Sequence, residues 1–465
     1  MTESRRRDAW TLAIAAAVVA GAAIRFLTLS VQSFWLDEAV THGLVTRSFG
    51  SMLSAIPHSE STPPLYYVLA WVWVRVFGAD AAGLRSLSAL FGTATVLVLA
   101  LIARRLAGNR GALAAAALAA TSPLLIWYSQ EARAYGLLVL LCAVTVWCLL
   151  REDWRGWAIA AALALATHYF AVFIVVPEVA WLVVRKRDTR AVRWALAGVG
   201  VIAIALSPLA IEQAGQNRAR FITAQGLGHR IVAVPKQFLI GYATPHATIL
   251  TVLTAILAVG LALFVRRRDG GLIALAAIAA GVPVVLAVFG ADYVITRNLI
   301  AAMVPLVVLA AVASTRTRSG AWLVAGLCAI GVIAFAGVEG NAVYQRDDWR
   351  DVAKALGAPT ALPRVVVINP SDGVPPLGIY MRLRRIPDTI KAYTSREIDV
   401  VDLTHNPPVP NPIAIADYSA CRPPQVTSVF VIVRYCETAA RPPLPYPNYE
   451  NLTLAGRPPS ILAAP

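Results

Sequence analysis

Asp37 and Glu38 directly follow the aromatic pair Phe34-Trp35, inside the stretch SFWLDEAVTHGLVTRSFGSMLSAIPHSESTPP. In a chain that is 58% hydrophobic and only 14% charged, carboxylates in such company need a reason. An ionisable group at membrane depth costs desolvation unless it is paired or used, which makes it a functional candidate. The competing reading is structural: two acids opening an amphipathic helix cap it through the macrodipole. Three further polar breaks interrupt apolar runs: Trp127-Tyr128-Ser129-Gln130-Glu131-Ala132-Arg133-Ala134-Tyr135, then Thr167-His168-Tyr169, then Asp292-Tyr293 with Arg297. Singly, each has an ordinary explanation: a Glu131–Arg133 surface pair with interfacial tyrosines, a satisfied helix-end histidine, a cation snorkelling from a helix end.

What must position these residues is a membrane bundle. A soluble chain is about 45–50% apolar and about 25% charged, and this one, with a mean hydropathy of +0.64, is far from that class. Disorder is excluded by the same figures. Apolar runs near the roughly 20 residues that cross a bilayer fall at 9–29, 84–104, 111–127, 134–150, 194–211, 246–266, 271–290, 294–313 and 320–338. Residues 156–185 make two short spans meeting at Thr167-His168-Tyr169, giving eleven in all. The first run is read as an anchor and not a cleaved signal, being long and without a small-residue cleavage site.

The formal charge of +15 has a location. Six loops carry Arg5–Arg7, Arg104, Arg105 and Arg110, Arg151 and Arg155, Arg185 to Arg193, Arg266–Arg268, and Arg316 with Arg318. They hold 18 Lys and Arg against six acids, a net +12. Placing all six on the cytoplasmic side satisfies the positive-inside rule and removes any need for a nucleic-acid partner. The Trp- and Tyr-rich run Pro64–Phe77 must then lie on the membrane or re-enter it, because counting it as a span puts the next basic loop outside. The N-terminus is inside, and the four polar breaks share the outer face.

Past residue 340 the chain becomes polar and Pro-rich. Arg364–Asn369 and Val426–Val433 read as strands and Asp347–Leu356 as a helix. The expected architecture is therefore an α-helical polytopic domain, 1–339, with an extracytoplasmic α/β domain and Pro-rich tail, 340–465. Cys142, Cys148 and Cys328 fall in spans as small core residues. Cys421 and Cys436 share the outer domain, where an oxidising compartment would permit a disulfide. Arg218, Arg220, Arg230 and Lys236 read as solvated loop charges, with an anionic acceptor or lipid headgroups as the alternative. No internal repeat, CxxC or Gly-rich phosphate loop is present.

A membrane-rim cleft with a carboxylate base and cations suits sugar transfer from a polyprenyl phosphate. Arg133 or Arg297 would hold the phosphate, while Asp37 deprotonates an acceptor hydroxyl that attacks the anomeric carbon. A lipid phosphate is a fair leaving group, so no cofactor is required and a metal is not indicated. One displacement inverts the anomeric centre.

Phe34–Ala39, Pro63-Pro64-Leu65-Tyr66-Tyr67, Leu84–Leu90, Ser122-Pro123, Tyr128–Tyr135, Thr167–Phe170, Arg297 with Pro305, and Arg346–Arg350 carry a resemblance. Over about residues 1–360 the chain resembles the GT-C integral-membrane glycosyltransferases, nearest the family-39/83-like group related to protein O-mannosyltransferases and aminoarabinose transferases. The resemblance implies a catalytic Asp at position 37, a polyprenyl-phosphate sugar donor, juxtamembrane helices in the first outer loop and a site outside the bacterial cytoplasmic membrane. Glu38, His58, Glu60, Glu131, Arg133, Tyr135, His168, Tyr169 and Arg297 are the expected donor- or acceptor-binding residues. Relatives often place His or Asp directly before the Pro pair, where this chain has Ser61-Thr62. The acceptor class, whether glycolipid, polysaccharide or protein, is left open. The rival from another class is a transporter or lipid-linked-sugar flippase, which would show inverted repeats and midplane helix breaks.

Overall fold

The computed structural model describes residues 3–185, 189–358, 363–387, 389–403, 418–427, 429–438, 443–445, 449 and 459–464, with side chains from Asp8 onward. Lys186, Arg187 and Asp188 of the fourth basic loop, the side chains of Arg5–Arg7, and most of the Pro-rich tail lie outside those residues. The chain forms two units, Met1–Leu29 with Thr41–Gly340, and Ser30–Val40 with Asn341–Pro465. The second unit resumes at Asn341. The sequence alone did not separate Ser30–Val40 from the rest of the first loop.

The apolar runs become helices. α1 (Glu3–Phe26) is followed by three helices of the first loop: α2 (Leu36–Val45), α3 (Phe49–Ser59) and α4 (Leu65–Phe77). The expected runs at 84–104 and 111–127 fall mainly on one long element, α5 (Ala81–Thr121), broken at Gly108 with φ +70° and ψ −164°. That positive φ suits glycine and no other residue well. α6 (Pro123–Ser129), α7 (Tyr135–Arg151), α8 (Trp154–Thr167), α9 (Val172–Val184) and α10 (Arg190–Gly215) follow. After them come α11 (Arg220–Thr223), α12 (Leu227–Ile240), α13 (Ala247–Ala262), α14 (Gly270–Val288), α15 (Met303–Ser314) and α16 (Arg318–Glu339). Among the described residues six helical segments are long and apolar enough to cross a bilayer, and shorter apolar helices carry most of the other expected spans. Along α10, Val201, Ile204 and Ile211 stay more than 60% exposed, an arrangement that only a lipid solvent rewards. The chain is a multi-pass membrane protein.

Small buried residues along α5, among them Ala103, Ala112, Ala116 and Ala119, let neighbouring helices approach closely. Into this packing α1 inserts Arg25, 1% exposed. It donates to the carbonyls of Gly21 (3.0 Å), Ala119 (2.8 Å) and Ala120 (3.1 Å) and to Ser129 Oγ (3.0 Å), so its charge staples α1 to α5 and α6. At the basic-loop end, Arg316 closes a bidentate pair on Asp269 (2.7 and 2.6 Å).

In the second unit, α17 (Trp349–Leu356) and α18 (Val374–Tyr380) pack on a mixed sheet. Its strands are β1 (Arg364–Ile368), β2 (Arg384–Arg385), β3 (Ala392–Tyr393), β4 (Glu397–Leu403), β5 (Tyr418–Ala420), β6 (Gln425–Val426), β7 (Phe430–Glu437), β8 (Leu444–Pro445) and β9 (Ser460–Ala464). The order is β2-β9-β1-β4-β7-β5, with β6 also on β7 and a separate β3-β8 pair. β1 and β4 are parallel, the other pairings antiparallel. Alternation assigns Val366, Ile368, Val401 and Ile432 to the face under Trp349 and Leu377, while Val365, Val367, Ile398 and Val433 face Tyr449 and Leu444. The expected run Arg364–Asn369 becomes β1, whereas Val426–Val433 is divided, Val426 closing β6 and Phe430–Val433 opening β7, which pairs back on it. Buried Asp399 pairs with Arg364 and with Arg434 (2.7 Å), and both arginines also donate to the Leu356 carbonyl at the end of α17. Cys421 and Cys436 form a disulfide.

Candidate active site

The segment leading to Asp37 is held from both sides. Ser33 Oγ donates to the Asp347 carbonyl (2.9 Å) and accepts from the Trp349 N–H (3.1 Å). Gln32 Oε1 accepts from Arg346 twice (3.2 Å each), Arg350 donates to the Ser30 and Val31 carbonyls (3.1 and 3.2 Å), and the Phe34 N–H donates to Tyr380 Oη (2.9 Å). Arg346–Arg350, singled out in sequence only as a familiar string, is thus the clamp on the peptide that enters α2. Asp37 and Glu38 fall in the first turn of α2, where the positive end of the macrodipole favours them. Asp37 is half-buried and Glu38 fully buried.

In the first unit, several of the expected residues come together at the helix ends away from the basic loops. Arg133 makes a bidentate pair with Glu60, 2.8 Å on each arm, and both are buried. A second contact from the same guanidinium reaches Thr41 Oγ1 (3.2 Å), and its carbon lies 5.9 Å from the centre of the Tyr67 ring. Tyr67 in turn hydrogen-bonds Thr62 Oγ1 (3.0 Å). The bidentate fork fixes the guanidinium plane, which a lysine could not do.

An aromatic chain continues from there. Tyr135 opens α7 and meets Tyr128 edge-on at 4.8 Å and His168 at 5.5 Å. His168 stands 5.1 Å from Phe170, which lies 5.7 Å from Tyr293. Tyr128 hydrogen-bonds Tyr242, itself 5.7 Å from Trp127. His168 ends α8 in an extended conformation, and its Nδ1 accepts the Phe170 N–H (3.2 Å), starting the short 3-10 turn before α9. With Nδ1 accepting, Nε2 carries the proton and can donate. Burial, then the fields of Arg133 and Arg297, push the imidazole down to about 3, so it is a neutral donor across ordinary pH. Glu131 is 1% exposed, and Arg297 sits in the 3-10 stretch Thr296–Ala302, 5.3 Å over the Phe221 ring.

Glu60, Arg133, Tyr135 and His168 therefore belong to one neighbourhood, close enough to Glu131 and Arg297 for electrostatic coupling through Tyr128 and His168. Three expectations end differently. His58 is exposed on α3, with its Nδ1 3.6 Å from Glu212. Tyr169 is tied to Gln213 (2.8 Å), whose amide donates to the Thr62 carbonyl (3.2 Å), so it braces the Pro63-Pro64 turn. Arg133 and Glu131 are both buried and so make no surface pair, and Arg133 is bidentate on Glu60 across 73 residues.

The basic stretch after α10 also needs correction. Arg230 is buried and bidentate on Asp292 (2.7 and 2.5 Å), and Arg218 donates to the carbonyls of His58 and Glu60, so neither is a solvated loop charge. Asp292 is spent on that turn, and its guanidinium partner holds the carboxyl below the usual carboxylate range. Thr41, Thr62, Tyr67 and Tyr242 line the neighbourhood without having been named as binding residues. Tyr67, inside the Pro-Pro-Leu-Tyr-Tyr run, is the one a sequence signal could have found.

Residues 61–211 match the family model described as dolichyl-phosphate-mannose-protein mannosyltransferase. A sequence search of curated proteins finds no match. Among solved structures, ArnT from Cupriavidus metallidurans bound to undecaprenyl phosphate is 14% identical, with 91% of this chain and 97% of that chain covered at a TM-score of 0.57. Its apo form aligns at 14% identity over 92% and 98% of the two chains with a TM-score of 0.58. The chain shares the ArnT fold and carries a small strand-containing C-terminal domain.

Proposed function

We propose that the chain is an inverting glycosyltransferase. It would move a hexose or pentose from a polyprenyl-phosphate donor to an acceptor hydroxyl at the outer face of a bacterial cytoplasmic membrane, with Asp37 as general base. The observation that carries the reading is the gathering of Glu60, Arg133, Tyr135 and His168, from three separate segments, at the helix ends away from the basic loops. The mannosyltransferase family match over 61–211 and a fold shared with an undecaprenyl-phosphate-bound protein support a polyprenyl-phosphate donor.

In this mechanism Asp37 takes the proton of the acceptor hydroxyl as its oxygen attacks the anomeric carbon. The bond from that carbon to the phosphate oxygen breaks, and the polyprenyl phosphate leaves with the electron pair. Arg297 meets the phosphate charge, while Arg133, oriented by Glu60, serves as the second cation. Neutral His168 donates from Nε2 to a sugar hydroxyl or phosphate oxygen. Asp37 stands in the first turn of α2.

Purified protein supplied with a panel of radiolabelled polyprenyl-phosphate sugars and membrane extract as acceptor tests this. Asp37→Asn should lose about 10²- to 10⁴-fold in transfer rate with an unchanged melting temperature. Wild-type turnover in that variant would sink the mechanism.

A further inference from the structure

At the basic-loop end of the first unit, a cavity of about 570 Å³ opens between α5, α7, α9, α14 and α15. It is distinct from the candidate active site. On α7 it is lined by Val146 and Leu150, three turns and more beyond Tyr135, and on α9 by Pro177 and Trp181, well past His168. Its volume is that of a ligand site.

The walls are mostly hydrocarbon, and the charged groups at the loops are Arg268, Asp269 and Arg316. Asp269 and Arg316 neutralise one another through their bidentate pair. Arg268 is exposed and has no carboxylate in ion-pair contact among the described residues, and Arg266, Arg267 and Arg318 add positive charge to the same two loops. One buried acid, Glu178, also lines the cavity, but its oxygens accept from Thr145 Oγ1 (3.0 Å) and Trp157 Nε1 (2.9 Å) on the adjoining helices. The cavity thus joins an apolar interior to a cationic mouth.

We propose that it binds one anionic glycerophospholipid, an acyl chain filling the interior and the phosphate resting at Arg268. Basic pockets between membrane helices select anionic headgroups. A zwitterionic lipid with the same chains gains the apolar contact and forfeits the charge.

The test is lipid retention by the full-length protein in detergent, read by native mass spectrometry with phosphatidylglycerol, phosphatidylcholine and undecaprenyl phosphate as probes. One phosphatidylglycerol per chain should be held in preference to phosphatidylcholine. Arg268→Ala should weaken that binding about fivefold, the worth of one cation near the surface. Ala274→Trp, which fills the cavity, should abolish it. Because Arg268 is exposed, its variant reports even where the Trp variant melts early. Equal retention of the two phospholipids, or phosphatidylglycerol binding that Arg268→Ala leaves unchanged, overturns the proposal. So does undecaprenyl phosphate outcompeting phosphatidylglycerol here, which would give the cavity to the carrier lipid.

Discussion

Buried arginine–carboxylate pairs stand at both ends of the membrane unit, and the company they keep differs. At the basic loops, Asp269 accepts the Arg266 N–H (2.9 Å) while Arg316 reaches the Phe264 carbonyl, so the pair knits backbone into a turn. Arg230 and Asp292 do the same, through the Val294 carbonyl (2.8 Å) and the Val294 N–H (3.2 Å). The contacts of Arg133 with Glu60, Thr41 and Tyr67 are with side chains, beside a run of aromatic rings. A pair that closes a turn is accounted for by folding. Under the proposed function, a pair that orients a guanidinium inside an aromatic pocket serves the donor phosphate.

Variants at the two pairs give the largest expected effects. Arg133→Met leaves Glu60 buried without its partner and should cost about 3–5 kcal/mol, read as a lower melting temperature in detergent. Adding Glu60→Leu should restore most of that stability, since an apolar replacement of a whole buried pair is often neutral. Transfer should stay lost. The matching Arg316→Met, Asp269→Leu double variant should recover less stability, because the Arg266 N–H and Phe264 carbonyl lose their partners. Its transfer rate per folded molecule should be wild type. Normal transfer by the Arg133, Glu60 double variant would erase the distinction between the two ends.

A smaller effect tests how the aromatic end is positioned. Gly92 on α5 lies against α6, where an added Cβ would overlap Ser129 Oγ and come within 3.1 Å of Arg25 Nε. Helix propensity favours Gly→Ala by about 1 kcal/mol, whereas overpacking costs about 1–3 kcal/mol. Gly92→Ala should therefore lower the melting temperature. Gly198→Ala on α10, where a Cβ meets nothing within 4 Å, should raise it. A stabilised Gly92→Ala would mean that α6 is not packed as tightly as Arg25 and Ser129 require.

The sequence made the spans and the His168 break legible, because apolar length and an interrupting polar triplet are local signals. It also marked β1 and β7, whose Val- and Ile-rich runs are buried on both faces. It did not reveal which arginines would be interior. Arg25 and Arg85 carry the same letter as the loop cations, yet Arg85 donates to the Leu29 carbonyl inside the bundle (2.7 Å). The partners of Arg133 and Arg230 lie 73 and 62 residues away, and the clamp of Ser33 on Asp347 spans 314. Such long-range pairings leave no periodicity to read. Short strands such as β2 exist only by pairing with β9, so their residues had no pattern of their own.

The smallest expected effect separates the two ends by pH. His168 has its folded value depressed to about 3 by burial and by Arg133 and Arg297, against an unfolded value near 6.5. Between those values the unfolded chain binds a proton that the folded chain refuses, so stability falls as pH drops, by up to about 1.4 kcal/mol per unit. Asp269 and Asp292 are depressed carboxylates, so their stabilisation is present above the unfolded value near 3.9 and is lost only in stronger acid. Melting curves from pH 7 to 4.5 therefore read the contribution of His168 as the difference between wild type and a His168 variant. His168→Asn, which keeps a side-chain acceptor for the Phe170 N–H, should flatten the wild-type slope over that window. An unchanged slope would show that the imidazole is hydrated and charged, and would remove the neutral Nε2 donor from the transfer step.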